Sequence, residues 1–395
     1  MSRIDELVQE LCPNGVEYRA LGEVVSVERG VRVVRKQLSE QGDYPVYQNS
    51  LTPMGYYDKA NYDGGTTFVI GAGSAGEIGY SESAFWAADD CFPLVTHEDM
   101  LNRYLFHFML SVQDRLKSKV RKASIPRLSR KAIEDIRIPV PPMEVQEEVV
   151  AVLDSFAELE AELEAELEAE LEARKTQYAF YRDRLLDFGD ADTHASSTSV
   201  RWVTLGEICK SVSSGGTPRK SHAEYYEDGT IPWLRTQEVA FNEIYETGVF
   251  ITEDGLKNSS AKWIPANCVI VAISGATAGR CAINKIPLTT NQHCLNMEIN
   301  EELALYKYVF HCVCNQHDEL IARKEGARGD LNATRIKSLK IPLPPLAEQR
   351  RIVDILDRFD ALTTSLTDGI PAEIEARRAQ YAYYRDKLLA FPEKA

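Results

Sequence analysis

Hydrophobic and polar positions along the chain follow two rhythms. From Glu144 to about Phe188 there is no Pro or Gly, and four copies of Ala-Glu-Leu-Glu fill residues 157–172. Ala, Glu and Leu are strong helix formers, so this stretch predicts one long helix. Leu159, Leu163, Leu167 and Leu171 recur every fourth residue, with Ala161, Ala165, Ala169 and Ala173 as small neighbours. Such a stripe needs a partner helix, and because its period exceeds 3.6 it drifts around the helix surface. Elsewhere the rhythm is shorter. β-rich runs such as Thr66–Ile70 and 268–273 alternate with Gly/Ser turns, then helical stretches near 100–117 and 303–323. That mixture predicts α+β domains. No apolar run reaches the roughly 18 residues of a membrane span.

The pattern occurs twice. Ile138-Pro-Val-Pro-Pro142 returns as Ile341-Pro-Leu-Pro-Pro345, at an offset of 203. The same offset lays Gln146 over Gln349, Asp154 over Asp357, and Gln177-Tyr-Ala-Phe-Tyr-Arg-Asp183 over Gln380-Tyr-Ala-Tyr-Tyr-Arg-Asp386. Between 138 and 188 there are 25 identities in 51 ungapped positions. Upstream the likeness thins, but Ser74-Ala-Gly76 still lies over Thr277-Ala-Gly279 and Cys91 over Cys294. The second copy predicts its own helix, with Leu362, Leu366, Ile370 and Ile374 as stripe and a kink or break at Gly369 and Pro371. These features divide the chain into 1–143, a helix at 144–188, a small polar linker at 189–199, 200–346, and a second helix at 347–391.

The arrangement resembles the specificity subunit of type I restriction-modification systems, along essentially the whole chain. The motifs that carry the likeness are LCPNGVEYRALGEV near the start and Ser214-Gly-Gly-Thr-Pro218 followed by Ile231-Pro-Trp233. They also include IPxPPxxxQ before each long helix, QYAxYRDxLL at its end, and a short tandem repeat similar to the TAEL-type spacers of one subgroup. The resemblance implies two target-recognition domains in pseudo-twofold arrangement, joined by a pair of long antiparallel helices (a coiled coil). It implies that each domain reads one half of a bipartite, asymmetric double-stranded DNA site. The helices would set the spacer, and two methyltransferase subunits and the restriction subunits would be the protein partners. S-adenosylmethionine, ATP and magnesium would then sit on those partners, leaving this subunit non-catalytic, without a cofactor, and cytoplasmic.

Charge tests that expectation. The chain has 45 Lys and Arg against 60 Asp and Glu, a formal net charge of −15. Taken as an average, this argues against a nucleic-acid partner. Yet residues 158–172 alone hold eight Glu and no base, which reads as a solvated helix face. Bases gather instead at 115–137 and again at 323–340. Two equivalent basic patches suit phosphate contacts in a bipartite reader. The candidates there are Arg121, Lys122 and Arg127 in the first half, and Arg323, Lys324, Arg328 and Arg335 in the second. Base reading needs directional donors and acceptors: Arg on guanine, Asn or Gln on adenine. Gln48 and Asn49, and at comparable positions Arg235 and Gln237, follow short β-rich runs. Arg29, Arg32, Arg35 and Lys36, and likewise Arg219 and Lys220, occupy Gly/Ser-flanked loops. At the helix ends, Tyr178, Tyr181, Leu185 and Leu186, with Tyr381, Tyr384, Leu388 and Leu389, either dock methyltransferase or pack on each other.

Other chemistry is weakly signalled. Gly71-Ala-Gly73-Ser-Ala-Gly76 fits GxGxxG after a strand, but the residues beyond it are β-prone rather than helical. A nucleotide-dependent enzyme using this turn is one rival, and an acidic scaffold or DNA mimic that reads no sequence is another. His311-Cys312-Val-Cys314-Asn-Gln-His317 resembles a zinc-ligand cluster, though buried thiols on a helix explain it as well. Eight cysteines at irregular spacing fit reduced thiols. No nucleophile elbow, HExxH, P-loop or methyltransferase motif of DPPY type is present.

Overall fold

The computed structural model describes residues 3–121, 124–189, 200–323, 331–364 and 369–394. It falls into two compact units, Met1–Glu168 with Ala372–Ala395, and Ala169–Pro371. Each unit therefore takes the start of one long helix and the end of the other. Residues 190–199 of the sequence-based linker at 189–199 lie outside the described residues, as do Lys122, Lys324 and Arg328.

Both units build the same sheets. In the first, Val25–Val27, Cys91–Thr96, Thr66–Ile70 and Ile78–Ser81 form an antiparallel sheet in that spatial order. In the second, Cys209–Ser214, Cys294–Ile299, Val269–Ala272 and Cys281–Asn284 repeat it, and Asn242–Ile244 adds a parallel edge. The central strands are rich in β-branched residues and nearly wholly buried, as expected where both faces are covered. A smaller sheet sits beside each. Tyr44–Tyr47 pairs antiparallel with Tyr56–Tyr57 and parallel with Trp86–Ala87. Likewise Ile231–Leu234 pairs antiparallel with Phe250–Ile251 and parallel with Leu288–Thr290. Helices Asn102–Ser111 and Tyr306–Asn315 lie near the stretches that the sequence pattern marks as helical.

The duplicated prolines end a strand and release a helix. Arg137–Pro139 pairs with Tyr18–Ala20, and Lys340–Leu343 pairs with Arg201–Thr204. Pro142 and Pro345 then accept the first helical N–H bonds, from which helices Met143–Leu186 and Leu346–Thr364 run on. The fourth residue of each helix is a fully buried glutamine. Gln146 accepts from the Leu101 N–H at 2.9 Å and donates to the carbonyls of Asp99 (2.9 Å) and Pro141 (2.8 Å). Gln349 does the same with Leu305 (2.9 Å), Leu303 (3.3 Å) and Pro344 (2.8 Å). Farther along, Asp154 accepts from Arg103 Nε at 2.8 Å and lies 2.7 Å from His107 Nε2. Asp357 meets Lys307 Nζ at 2.6 Å and His311 Nε2 at 3.3 Å.

In the first unit, the central helix packs antiparallel on the C-terminal helix Ile370–Leu388, with Phe156 against Tyr384 and Glu164 ion-paired to Arg378. In the second, its end packs antiparallel on Leu346–Thr364, with Tyr178 and Tyr181 against Phe359 and Leu186 in the core. The leucine stripe drifts as its period requires: Leu167 is buried, whereas Leu159 is 60% exposed. Among the described residues the second conserved segment forms helices Leu346–Thr364 and Ile370–Leu388, and Leu366 of the predicted stripe lies outside the described residues. Gly369 is a bend, and Pro371 occupies the first turn of the next helix, where its missing N–H costs nothing.

Replacing Gln146 with Leu strands one buried N–H and two carbonyls. The expected loss is about 2–3 kcal/mol of unfolding free energy, read from urea titrations. Burial outweighs the Asp154 contact and lowers the His107 pKa from its ordinary 6.5. The unfolded chain thus takes up this proton at higher pH than the folded one. Stability is complete above about pH 6.5 and falls as pH drops toward the folded value. Urea midpoints at pH 7.5 and 5.5 should separate more for the native chain than for His107→Gln.

Candidate nucleic-acid interface

The first unit gathers several sequence-predicted residues at one end of its small sheet. Tyr47 closes that sheet, its carbonyl accepting from the Ala88 N–H at 2.9 Å, and Gln48 and Asn49 follow. Gln48 Nε2 donates to Asp89 Oδ1 at 3.1 Å, and Arg29 Nε donates to the Asp89 carbonyl at 3.1 Å. The Asn49 carbonyl accepts from Ser74, and Gly73 donates to Pro126, so the 71–76 turn joins the group. Next to it, Arg121 and Arg127 face each other across a β-bridge, with N–H···O distances of 2.9 and 3.3 Å. Both are exposed, as are Arg32, Arg35 and Lys36. The loop bearing Arg29 is pinned by Gly30, which donates to Cys91; a Cβ there would meet the Ala88 carbonyl oxygen at 2.1 Å.

The second unit repeats this arrangement with other side chains. Leu234 closes its sheet through the Asn291 N–H at 2.9 Å, and Arg235 follows. A cleft of about 570 Å³ opens here, lined among others by Lys220, Trp233, Arg235, Gln237, Gln292 and His293. Arg235 Nε donates to Glu238 Oε1 at 3.2 Å. Thr217 donates to Gln292 Oε1, and Gln292 Nε2 lies 3.1 Å from His293 Nε2. Tyr226 and Trp233 stiffen the floor by donating to the carbonyls of Pro218 (2.6 Å) and Gly216 (2.9 Å). Arg219 is exposed on the adjoining loop.

Not every predicted base stands free. Arg323 binds Glu319 at 2.5 Å and the Arg335 carbonyl at 3.2 Å, while Arg335 donates back to the Arg323 carbonyl at 2.7 Å. The two hold each other's backbone. In the first patch, Arg130, Lys131 and Arg137 are ion-paired to Glu134, Asp135 and Glu393. Arg115, Lys117 and Lys119 are exposed. The sequence reading missed Asp89, Thr217, Asn291, Gln292 and His293. The signal was present: the offset of 203 lays Asp89 and Asp90 over Gln292 and His293, just before the matched cysteines.

Among the docking candidates, Tyr178 packs on Phe359, and burial pushes its hydroxyl pKa up. Leu185 and Leu388 lie against their cores, and Leu186 and Leu389 are buried within them. Tyr381 is half-buried beside Phe156 and Leu163. Tyr181 and Tyr384 stay 38% and 42% exposed, and their neighbours Phe180 and Tyr383 are 57% and 62% exposed.

The rival motifs resolve differently. Gly71 to Gly76 turn between two antiparallel strands of a hairpin, with Gly73 and Gly76 at φ of +81° and +89°, and no helix follows. His311 faces Asp357, His317 Nδ1 lies 3.0 Å from the Gly279 carbonyl, and Cys314 lies 3.1 Å from Cys281. Those side chains diverge. Among the described residues no group of three or more His, Cys, Asp or Glu could hold a metal ion, and no helix is long and apolar enough to cross a membrane.

Residues 13–173 and 199–376 match the family described as the type I restriction modification DNA specificity domain. The chain is 32% identical to the type I restriction enzyme EcoR124I/EcoR124II specificity subunit of Escherichia coli, across 100% of this chain and 98% of that relative. Its fold is similar to a solved structure from work on complex assembly and conformational transition of the type I R-M system. There the TM-score is 0.69 at 18% identity, covering 95% of this chain and 98% of that one. The crystal structure of the HsdS subunit from Thermoanaerobacter tengcongensis gives a TM-score of 0.50 at 18% identity, with 96% of each chain covered. The paired loop clusters thus lie in the two recognition domains of a chain that belongs to the family of type I restriction-modification DNA specificity subunits.

Proposed function

We propose that each half reads one part of a bipartite, asymmetric site in double-stranded DNA, and that the long helices fix the number of unread base pairs between the parts. The observation that carries this reading is the repetition of one loop cluster, at the same end of the same small sheet, with different polar side chains in each half. An identical scaffold with unlike readers is what an asymmetric two-part target requires. Exposed Arg121 and Arg127, and Lys220 and Arg219, supply phosphate contacts that fix register without reading sequence. The chain acts as the non-catalytic member of a complex: methylation and cleavage, with S-adenosylmethionine, ATP and magnesium, belong to the methyltransferase and restriction subunits it recruits. The complex works in the cytoplasm.

The exposed pairs Phe180 with Tyr181 and Tyr383 with Tyr384 are related by the repeat, which favours two equivalent methyltransferase sites. Changing Phe180 and Tyr181 to Ser should remove one methyltransferase subunit from the assembled complex, and changing Tyr383 and Tyr384 as well should remove both. Native mass spectrometry reads the count.

The spacer is tested by helix length. One added Ala-Glu-Leu-Glu unit lengthens the central helix by about 6 Å, against about 3.4 Å per base pair. Sequencing of methylated adenines should then show a spacer changed by one or two base pairs and unchanged half-sites. Altered half-sites with a fixed spacer would sink the proposal.

A further inference from the structure

We infer that Gln48 and Arg235 are the corresponding base-reading residues of the two domains. Gln48 recognises an adenine in one half-site, and Arg235 a guanine in the other. The inference rests on the duplex-reading function above and goes further, naming the position and the base.

The two residues hold the same place. Val46 and Tyr47 lie opposite Trp86 and Ala87 in a parallel pair, and Trp233 and Leu234 lie opposite Thr289 and Thr290. The next hydrogen bond, Ala88 N–H to the Tyr47 carbonyl or Asn291 N–H to the Leu234 carbonyl, closes each ladder at 2.9 Å. Because the strands are parallel, both leave the sheet at one end, and the first residues beyond it emerge side by side: 48 with 89, and 235 with 292. The strand residues behind them are committed to packing, since Val46 and Leu234 are fully buried. Residues 48 and 235 are only half-buried and carry no such duty.

The hydrogen bonds decide the chemistry. A carboxylate can only accept, so the contact between Gln48 and Asp89 fixes the amide with its nitrogen toward Asp89. One N–H is used there. Among the described residues the other N–H and the carbonyl oxygen remain, which is the donor–acceptor pair that matches N7 and N6 of adenine in the major groove. Asp89 is itself held by Arg29 through its carbonyl, so it acts as a positioning residue for the amide. Arg235 is held differently. Among the described residues its guanidinium is bonded to Glu238 alone, through Nε, which leaves the two terminal nitrogens for O6 and N7 of guanine. Glu238 also accepts from the Gly248 N–H at 2.8 Å, so the anchor is fixed on two sides.

The test uses the full chain assembled with its methyltransferase subunits and S-adenosylmethionine, scoring methylation across a library of duplexes randomised in both half-sites. Gln48→Ala should lower preference at a single A·T position of one half-site by roughly 5- to 100-fold and leave the other half-site intact. Arg235→Ala should do the same at a single G·C position of the other half. Asp89→Asn frees the amide to flip and should blur the same position as Gln48→Ala, while Asp89→Glu should restore it. The untouched half-site reports, in each variant, that the chain is folded. If a variant fails to assemble, Gln48→Arg and Arg235→Gln keep a long polar side chain in place and should move preference at the same positions. Unchanged preferences, or an equal loss at every position, would overturn the inference while the native complex still reads two half-sites. A native complex with no base preference at all would instead overturn the proposed function.

Discussion

Three directional hydrogen bonds on one buried amide set the geometry of each half. Gln146 and Gln349 sit in the first turn of their helices and bind both the proline segment that precedes the helix and the loop that precedes helix Asn102–Ser111 or Tyr306–Asn315. An apolar contact can slide by a fraction of an ångström; an amide with its oxygen and both N–H groups engaged cannot. Glutamate would lack the donors, and asparagine would be a methylene too short. Once the first turn is fixed, the direction of the helix follows. The ion pairs at Asp154 and Asp357 then attach it to its domain a second time, two turns farther on.

Much of this was legible in the sequence, and the limits have physical causes. The offset of 203 picked out both glutamines, both aspartates and the prolines the glutamines bind, but gave no hint of their other partners. Apart from Pro141 and Pro344, the partners lie one residue out of step, as Leu101 with Leu305 and His107 with His311, so a search at fixed offset passes over them. Local propensity revealed Thr66–Ile70 and the long helix, and Gly369 with Pro371 marked the start of helix Ile370–Leu388. The parallel pairing of Tyr44–Tyr47 with Trp86–Ala87 has no local signature, because strands so far apart in sequence meet only after the sheet forms. That pairing carried Asp89 to Gln48, which explains why the candidate site was half seen. Charge counting likewise could not tell exposed Arg127 from Arg335, which spends its guanidinium on the Arg323 carbonyl.

The net charge of −15 and a DNA-reading role are compatible because charge acts locally. At physiological ionic strength the Debye length is about 8 Å, so a phosphate near Arg121 and Arg127 responds to those side chains and not to the sum over the molecule. Six of the eight glutamates at 158–172 are exposed to solvent, where water and ions screen them. Under the proposed function their repulsion for DNA has a use, since a spacer helix that attracted phosphates would compete with the recognition loops for register.

With Gln48 and Arg235 as the inferred readers, their place just beyond a strand separates stability from specificity. Val46, Ala87, Trp233 and Thr290 are buried, and changing them opens cavities or strands polar atoms. Two residues beyond Val46 and Trp233, at 48 and 235, the half-buried side chains each bond a polar neighbour, Asp89 and Glu238. If these two side chains read bases as inferred, substitution there changes what is read at a cost of about a few tenths of a kcal/mol in folding, the scale of surface changes. A duplicated fold whose reading positions carry little of the packing can keep its clamps while its target changes. The two halves of this chain, alike at Gln146 and Gln349 and unlike at Gln48 and Arg235, are arranged in that way.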